Sequence, residues 1–396
     1  MIELKKAQNL LLKNLRRMEK EILRLPEAIG RVSFEDIRSN EDLPSFNRSL
    51  MDGYAVRDED VKTTPCVLKV RGIIPAGKIF KGRIKKGECV KIMTGAVVPS
   101  WAERVIKKED VEVIDKESVK ILRIGWDRNI SYKGEILRKN EIILRKGEVV
   151  NEFKAALLAL FGVKKVKVYK KPKVCLITTG DEIVFWERKV ETGKVRDVVS
   201  LLIPELFNKI ELPCKHLGRV KDRKNEIFRI FKKTNPFDII LFSGGVSMGD
   251  YDLIPEFLKE IGAEIVFHKV KTKPGKPLLF AKFKNKFIFG LPGNIVSSIV
   301  SFYNFLRPAV LYMMGLEDVF VKFYEGFIEE DIYIKSDRLY FVPSIAKFKN
   351  GKFYLKELKF MSSQDVYSVS RANSFIVFDD GIYKVKEGSK VRFFLL

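Results

Sequence analysis

The chain has few of the residues that build metal and redox centres. Its four cysteines, Cys66, Cys89, Cys175 and Cys214, show no CxxC spacing, and its two histidines, His216 and His268, lie far apart. This argues against a structural zinc site or a disulfide framework and predicts a cytoplasmic protein with reduced thiols. Fixed-period repeats and low-complexity tracts are missing. The N-terminal run Met1-Ile2-Glu3-Leu4-Lys5-Lys6 is charged, unlike a signal peptide. The most apolar long stretch, Ile295 to Met314, is interrupted by Ser297, Ser298, Ser301, Asn304, Arg307 and Pro308. A buried helix is predicted there, with no membrane association. The net charge is +23, from 74 Lys and Arg against 51 Asp and Glu, yet there is no basic tail or Arg-rich arm. A nucleic-acid binder would have a basic helix or an aromatic-interleaved strand, and neither is present, so no nucleic-acid partner is expected. The surplus suits phosphorylated small molecules, and lysine-rich composition is equally a habit of proteins from hot environments.

What is present is ample apolar material, 46% of 396 residues, enough for two to three domains. Residues 3 to 24 place Leu11, Leu12, Leu15 and Met18 on one helical face, and Pro26 to Gly30 reads as a second short helix. From Val56 to about Ile130 short β-branched runs broken by glycine predict an antiparallel β domain, with strands at 67–70, 89–93 and 103–106. Glu152 to Phe161 reads as a helix ended by Gly162, and 166–172 as a hinge-like connection. Strands at 174–177, 239–242 and 287–289 then alternate with helices near 198–207 and 225–234. That alternation predicts a doubly wound, mostly parallel sheet. Beyond Gly315 the pattern turns β-rich again, with strands at 353–355, 374–378 and 390–395, and suggests a small barrel.

The stretch 237–254 organises the rest. An apolar strand, Ile239 to Phe242, stops at Ser243-Gly244-Gly245; a polar turn with Ser247, Gly249, Asp250 and Asp252 follows, then a helix from Ile254 to Ile261. A strand, a glycine-rich turn and a helix start form the edge where open α/β sheets bind ligands, since free backbone N–H groups converge there. The plainer reading is a tight turn with a capping aspartate. Thr178-Thr179-Gly180-Asp181-Glu182 follows the strand at 174–177 in the same way, although Asp181 and Glu182 could simply open a helix. Lys273-Pro274-Gly275-Lys276-Pro277 is a rigid turn whose ammoniums suit an oxyanion, or a solvated basic loop. Leu291-Pro292-Gly293-Asn294 opens the helix carrying Ser297 and Ser298. Three such turns on one sheet point to a phosphate and metal site.

Taken together, SxMDGYAVR at 49–57, MTGAVVP at 93–99, TGDE, SGGVSMG, KPGKP and LPGN resemble the molybdopterin molybdenumtransferases. This is the MoeA family, which includes the C-terminal domain of gephyrin, and the resemblance runs in order from about residue 20 to the C-terminus. It implies magnesium-dependent insertion of molybdate or tungstate into adenylylated molybdopterin with release of AMP, in molybdenum cofactor biosynthesis. It implies a four-domain chain: a helical linker domain at 1–45 and 131–170, an inserted β domain at 46–130, an α/β molybdopterin-binding domain at 171–317 and a C-terminal β domain at 318–396. A homodimer is also implied, with the α/β domain of one subunit facing the β domain of the other, and the molybdopterin adenylyltransferase is a candidate partner. Carried over by position, the catalytic candidates are Asp52, Thr94, Glu182, Asp222 and Asp252, of which Glu182, Asp222 and Asp252 would hold magnesium. Cofactor-binding candidates are Thr179, Gly180, Ser243, Gly244, Gly245, Ser247, Gly249, Lys273, Pro274, Gly275, Lys276, Pro292, Gly293 and Ser297. The chain departs from the family pattern after Asp197, where Val198 and Val199 replace Ser/Thr and Asn, and after LPGN, where Ile295 replaces proline. A pterin-binding or scaffolding paralogue without turnover is the alternative.

Overall fold

The computed structural model describes residues 1–246, 253–359 and 362–396. The chain forms two compact units, one of Met1–Ile22 with Lys167–Leu396 and the other of Leu23–Val166. The N-terminal helix α1 (Leu4–Asn14) buries Ala7 and Leu11. It is shorter than the spacing of apolar residues predicts. Leu15 is extended, the Met18 N–H bonds to Met313 O, and the Arg17 guanidinium donates to the carbonyls of Tyr312 and Leu316 while lying over the Tyr312 ring. These tertiary bonds override helix propensity, and Lys20–Arg24 is a strand instead.

The Leu23–Val166 unit is built on a six-stranded sheet. Its strands are β1 (Gly53–Val56), β2 (Cys66–Ile74), β3 (Glu88–Ile92), β4 (Arg104–Lys107), β5 (Val111–Val113) and β6 (Ser118–Ile121), in the order β4-β1-β3-β2-β6-β5. Alternate residues feed separate cores on its two faces, Ala55, Val90 and Val105 on one and Tyr54, Cys89 and Ile106 on the other. The sheet is mixed, not purely antiparallel, because β2 runs parallel to β3. The predicted short helix at Pro26 is a 3-10 turn, Leu25–Ala28, and α2 (Glu152–Leu160) starts at an Asn151 side-chain cap. The expected hinge contains a strand, Lys165–Tyr169.

The larger unit begins with β7 (Val174–Thr179), followed by a short parallel pair, β8 (Ile183–Phe185) and β9 (Val195–Asp197). Then come α3 (Val199–Asn208), β10 (Cys214–Val220), α4 (Lys224–Phe231), β11 (Ile239–Ser243), α5 (Leu253–Glu260), β12 (Glu264–His268) and β13 (Thr272–Lys273). The α/β region closes with β14 (Leu279–Phe283), β15 (Lys286–Leu291) and α6 (Ile295–Met313). The sheet order is β10-β7-β11-β15-β14-β12, with the first four strands parallel and the last two antiparallel. Strands covered on both faces need apolar residues at every position. Val174, Leu176, Ile239, Leu241, Phe287 and Phe289 accordingly face α1, α3 and α6, whereas Cys175, Ile177, Ile240, Phe242 and Ile288 face α4 and α5. Helix α6 is long and apolar enough to cross a membrane, but 83% of it is buried inside the protein.

The C-terminal strands β16 (Tyr324–Ile328), β17 (Leu339–Lys349), β18 (Lys352–Glu357), β19 (Ser374–Phe378) and β20 (Lys390–Leu395) close into a barrel. The ring runs β17-β18-β16-β20-β19 and back to β17. Ile328, Val342, Leu355, Ile376 and Phe393 fill its interior. Phe341, Phe375 and Phe394 point the other way and join the α6 side of the sheet core. The chain is a mixed α/β multidomain protein with a doubly wound sheet and a C-terminal barrel, as the sequence predicts.

Candidate functional site

Parallel strands end together, so sequence-distant turns meet at one edge. Thr178 lies beside Ser243, Thr179 beside Val220, and Ser243 beside Leu291. The turns that follow β7, β10, β11 and β15 therefore share the carboxyl edge of the sheet, where backbone donors face solvent. Those after β7, β11 and β15 line a cavity of about 260 Å³, with Thr178, Thr179, Glu182, Arg196, Ser243, Gly244, Gly293 and Asn294 among its polar residues. Glycine is required here for space. A Cβ on Gly244, at φ +94°, would sit 2.3 Å from the Thr179 carbonyl oxygen. One on Gly180 would meet the Glu182 carboxylate at 2.7 Å, so that side chain folds back over the turn. Asp181 and Glu182 do not open a helix; they lead into β8, and Arg219 ties the turn down by donating to the Ile183 carbonyl.

Asp222, two residues beyond β10, is half-buried next to this turn. Burial, then the charges of Glu182 and Asp181, push its carboxyl above the usual carboxylate range, and the Thr179 hydroxyl and Asp181 backbone offset only part of this. That hydroxyl leans on Asp222 without forming a good hydrogen bond of its own. The arrangement fits a hard divalent cation such as magnesium: the donors are carboxylate oxygens, and an ion would relieve their mutual repulsion. Among the described residues no three acidic, histidine or cysteine side chains gather as a metal cluster. Ser247, Gly249 and Asp252 lie outside the described residues.

A second cavity, of about 310 Å³, adjoins the first through Asn294. Lys273, Pro274, Gly275, Lys276, Pro292 and Ser297 line it, together with Arg338, Tyr340, Ser362 and Ser363 from the C-terminal region. Strand β13 pairs with β17 so that Lys273 lies beside Tyr340, and the ammonium stands 4.4 Å from the ring centroid. The Arg338 guanidinium reaches back to Asp337. Asn294 is held by its amide donating to Ser363 Oγ at 2.8 Å and by accepting from Gln364 at 3.2 Å. Sequence reasoning missed Arg338, Tyr340, Ser363 and Gln364, which carry no glycine or proline punctuation and stand well beyond the recognised turns. Asn294 was in plain view within LPGN. Gly245, at φ +64°, completes the β11 turn beside Thr179 and Asp222.

In the Leu23–Val166 unit, Asp52 Oδ1 accepts from both the backbone N–H and the hydroxyl of Thr94, each at 2.8 Å. These bonds, the backbone one first, hold the Asp52 carboxyl below the usual range, and Lys108 and Lys91 add to the effect. The two motifs are thus one pair, 42 residues apart in sequence. Gly53 cannot be larger, since a Cβ would lie 1.9 Å from the Ile106 carbonyl oxygen. Asp52, Lys91 and Lys108 line a cavity of about 300 Å³.

Three family models match the chain in order: the MoeA N-terminal region (domains I and II) over residues 2–162, the probable molybdopterin binding domain over 175–312, and the MoeA C-terminal region (domain IV) over 328–396. The molybdopterin molybdenumtransferase of Staphylococcus epidermidis is 31% identical over 376 residues, covering 93% of this chain and 89% of its own. Its Staphylococcus aureus counterpart is 31% identical over 378 residues, with 94% and 90% covered. The crystal structure of the molybdopterin biosynthesis MoeA protein from Pyrococcus horikoshii superposes with a TM-score of 0.85 at 29% identity, spanning 100% of this chain and 99% of that one. The chain belongs to the MoeA family of molybdopterin molybdenumtransferases, transferases of molybdenum cofactor biosynthesis.

Proposed function

We propose that this enzyme inserts molybdate, or tungstate, into adenylylated molybdopterin with magnesium and releases AMP. The observation that carries the reading is the pair of adjoining cavities at one sheet edge, one lined by Glu182 with Asp222 close to that carboxylate, the other basic around Lys273, Lys276 and Arg338. Glu182 and Asp222, with Asp252, would hold magnesium, which neutralises phosphoanhydride charge when bound there. The turns at Thr179–Gly180, Gly244–Gly245 and Pro292–Gly293 offer backbone N–H groups to phosphate. Lys273, Lys276 and Ser297 receive the oxyanion, and Asn294 spaces the two ligand parts. Asp52 and Thr94 act on the same substrate from a second copy of the chain, in a cytoplasmic homodimer that takes its substrate from the adenylyltransferase. The partition into 1–45 with 131–170, 46–130, 171–317 and 318–396 belongs to the same reading, supported by the separate cores of the six-stranded sheet and the barrel.

The test mixes the protein with adenylylated molybdopterin, magnesium and either oxyanion, and follows AMP. Release that requires both magnesium and oxyanion supports the proposal. The second reading, a pterin-binding paralogue without turnover, draws on Val198, Val199 and Ile295, all of which line the acidic cavity. Tight pterin binding with no AMP release would favour it.

A further inference from the structure

Part of the lining of the first cavity is aliphatic, formed by Ile183, Val195, Val198, Val199 and Ile295, and Asp197 lies among them next to Arg196. Asp197, the last residue of β9, is only 4% exposed. Its Oδ1 accepts from the Ser200 N–H at 3.0 Å, and its main-chain carbonyl accepts from Ser200 Oγ at 2.9 Å. Its Oδ2 is fully buried and has no hydrogen-bond partner. Arg196 Nε donates to Trp186 O, and His216 Nε2 pairs with Thr178 Oγ1 at 3.2 Å, so neither of these atoms serves Asp197. A buried carboxylate oxygen left without a donor is costly, and a ligand N–H that reaches it removes that cost. If Asp197 served only to cap α3, one oxygen would suffice and the other could face water.

We infer that Asp197 Oδ2 accepts an N–H from the amino edge of an aromatic heterocycle whose faces pack on the aliphatic wall. The inference rests on the proposed reaction, because the substrate offers two such rings, a 2-aminopterin and a 6-aminopurine. Asp197 is then the specificity determinant that fixes which way round the substrate lies, with its ring at β9 and its phosphates at the glycine turns. An aliphatic slot with one buried acceptor discriminates strongly between a ring amine and a ring carbonyl, since the carbonyl would leave two acceptors facing each other.

Four probes decide this by equilibrium binding to the whole protein: pterin against lumazine, which has oxygen in place of the 2-amino group, and AMP against IMP, which has oxygen in place of the 6-amino group. The wild type is expected to prefer the amine-bearing member of one pair by about tenfold or more. Asp197→Asn, which keeps the capping oxygen but presents an N–H at the other position, should abolish or reverse that preference. Asp197→Ser, also a good cap, should do the same and serves if the first variant does not fold. Loss of the pterin preference assigns the slot to the pterin, and loss of the AMP preference assigns it to the nucleotide base; either supports the inference. Absence of any preference in the wild type, or a preference surviving in folded variants, overturns it while leaving the reaction standing. Failure of the wild type to bind any of the four rings would remove the cavity from the reaction and the inference with it.

Discussion

The two cavities at the carboxyl edge differ in how they are assembled. The first is lined by the carboxyl edge of the six-stranded sheet, the β8–β9 pair and the starts of α3 and α6, and among its lining residues only Gln364 comes from beyond α6. The basic one is a joint product of the KPGKP and LPGN turns, with Ser297, and the segments bearing Arg338, Tyr340, Ser362 and Ser363. Beside the first, burial and then the charges of Glu182 and Asp181 raise the pKa of Asp222. In the second, the Lys273 charge is spread over an aromatic face. On the proposed reading the first would take the cation and the second the anion, and Asn294 lines both.

The largest expected effect breaks the acidic side. Asp222→Asn should lower magnesium-dependent turnover by about a hundredfold or more, measured as AMP release. The same change should raise the thermal midpoint of the metal-free protein. A carboxyl whose folded pKa is raised destabilises the fold when ionised, so wild-type stability without metal should decline as pH rises above the ordinary carboxylate range. Magnesium affinity should run the opposite way, weakening as pH falls and Asp222 takes up its proton, and this dependence should flatten in the variant. Next in size, Arg338→Ala should raise the KM for molybdate by about tenfold while leaving pterin affinity unchanged, since a charge-assisted contact to the oxyanion alone is removed. Asn294→Ala should weaken both ligands by about threefold each, the signature of a shared wall, and an effect on only one would break the comparison. The smallest change is Tyr340→Leu, which removes the ring under Lys273 and should raise the molybdate KM by about two- to fivefold, whereas Tyr340→Phe should be near normal.

Much of this was legible in the sequence because parallel strands announce themselves twice, by uninterrupted apolar runs and by the glycine turns at their ends. Ser374–Phe378 and Lys390–Leu395 were placed to the residue, and the catalytic-edge strands to within two or three. The pairing of Asp52 with Thr94 was legible only as two motifs; their hydrogen bonds depend on β1 lying next to β3. Helix α1 was overextended because apolar spacing continues through Met18, while the contacts that stop the helix, Arg17 to Tyr312 and Leu316, come from almost 300 residues away. Arg338 and Tyr340 were invisible for the same reason. Nothing local distinguishes a lysine-facing tyrosine on a barrel strand from any other. Asp197 was noticed as the remnant of a family pattern, but its unpartnered oxygen is a property of burial and not of spelling.

The two-residue strand β13 has a mechanical consequence. Thr272 and Lys273 pair in register with Leu339 and Tyr340, so the first lysine of KPGKP is stitched by backbone hydrogen bonds to the longest stave of the barrel. Any tilt of the barrel would pull directly on the oxyanion cavity, and any ligand seated there would brace the barrel in return. A chain shortened to its α/β portion would keep the acidic cavity nearly whole and lose one jaw of the basic one. The C-terminal module thus forms one wall of this cavity, and grip on the proposed oxyanion is expected to depend on residues outside the six-stranded sheet.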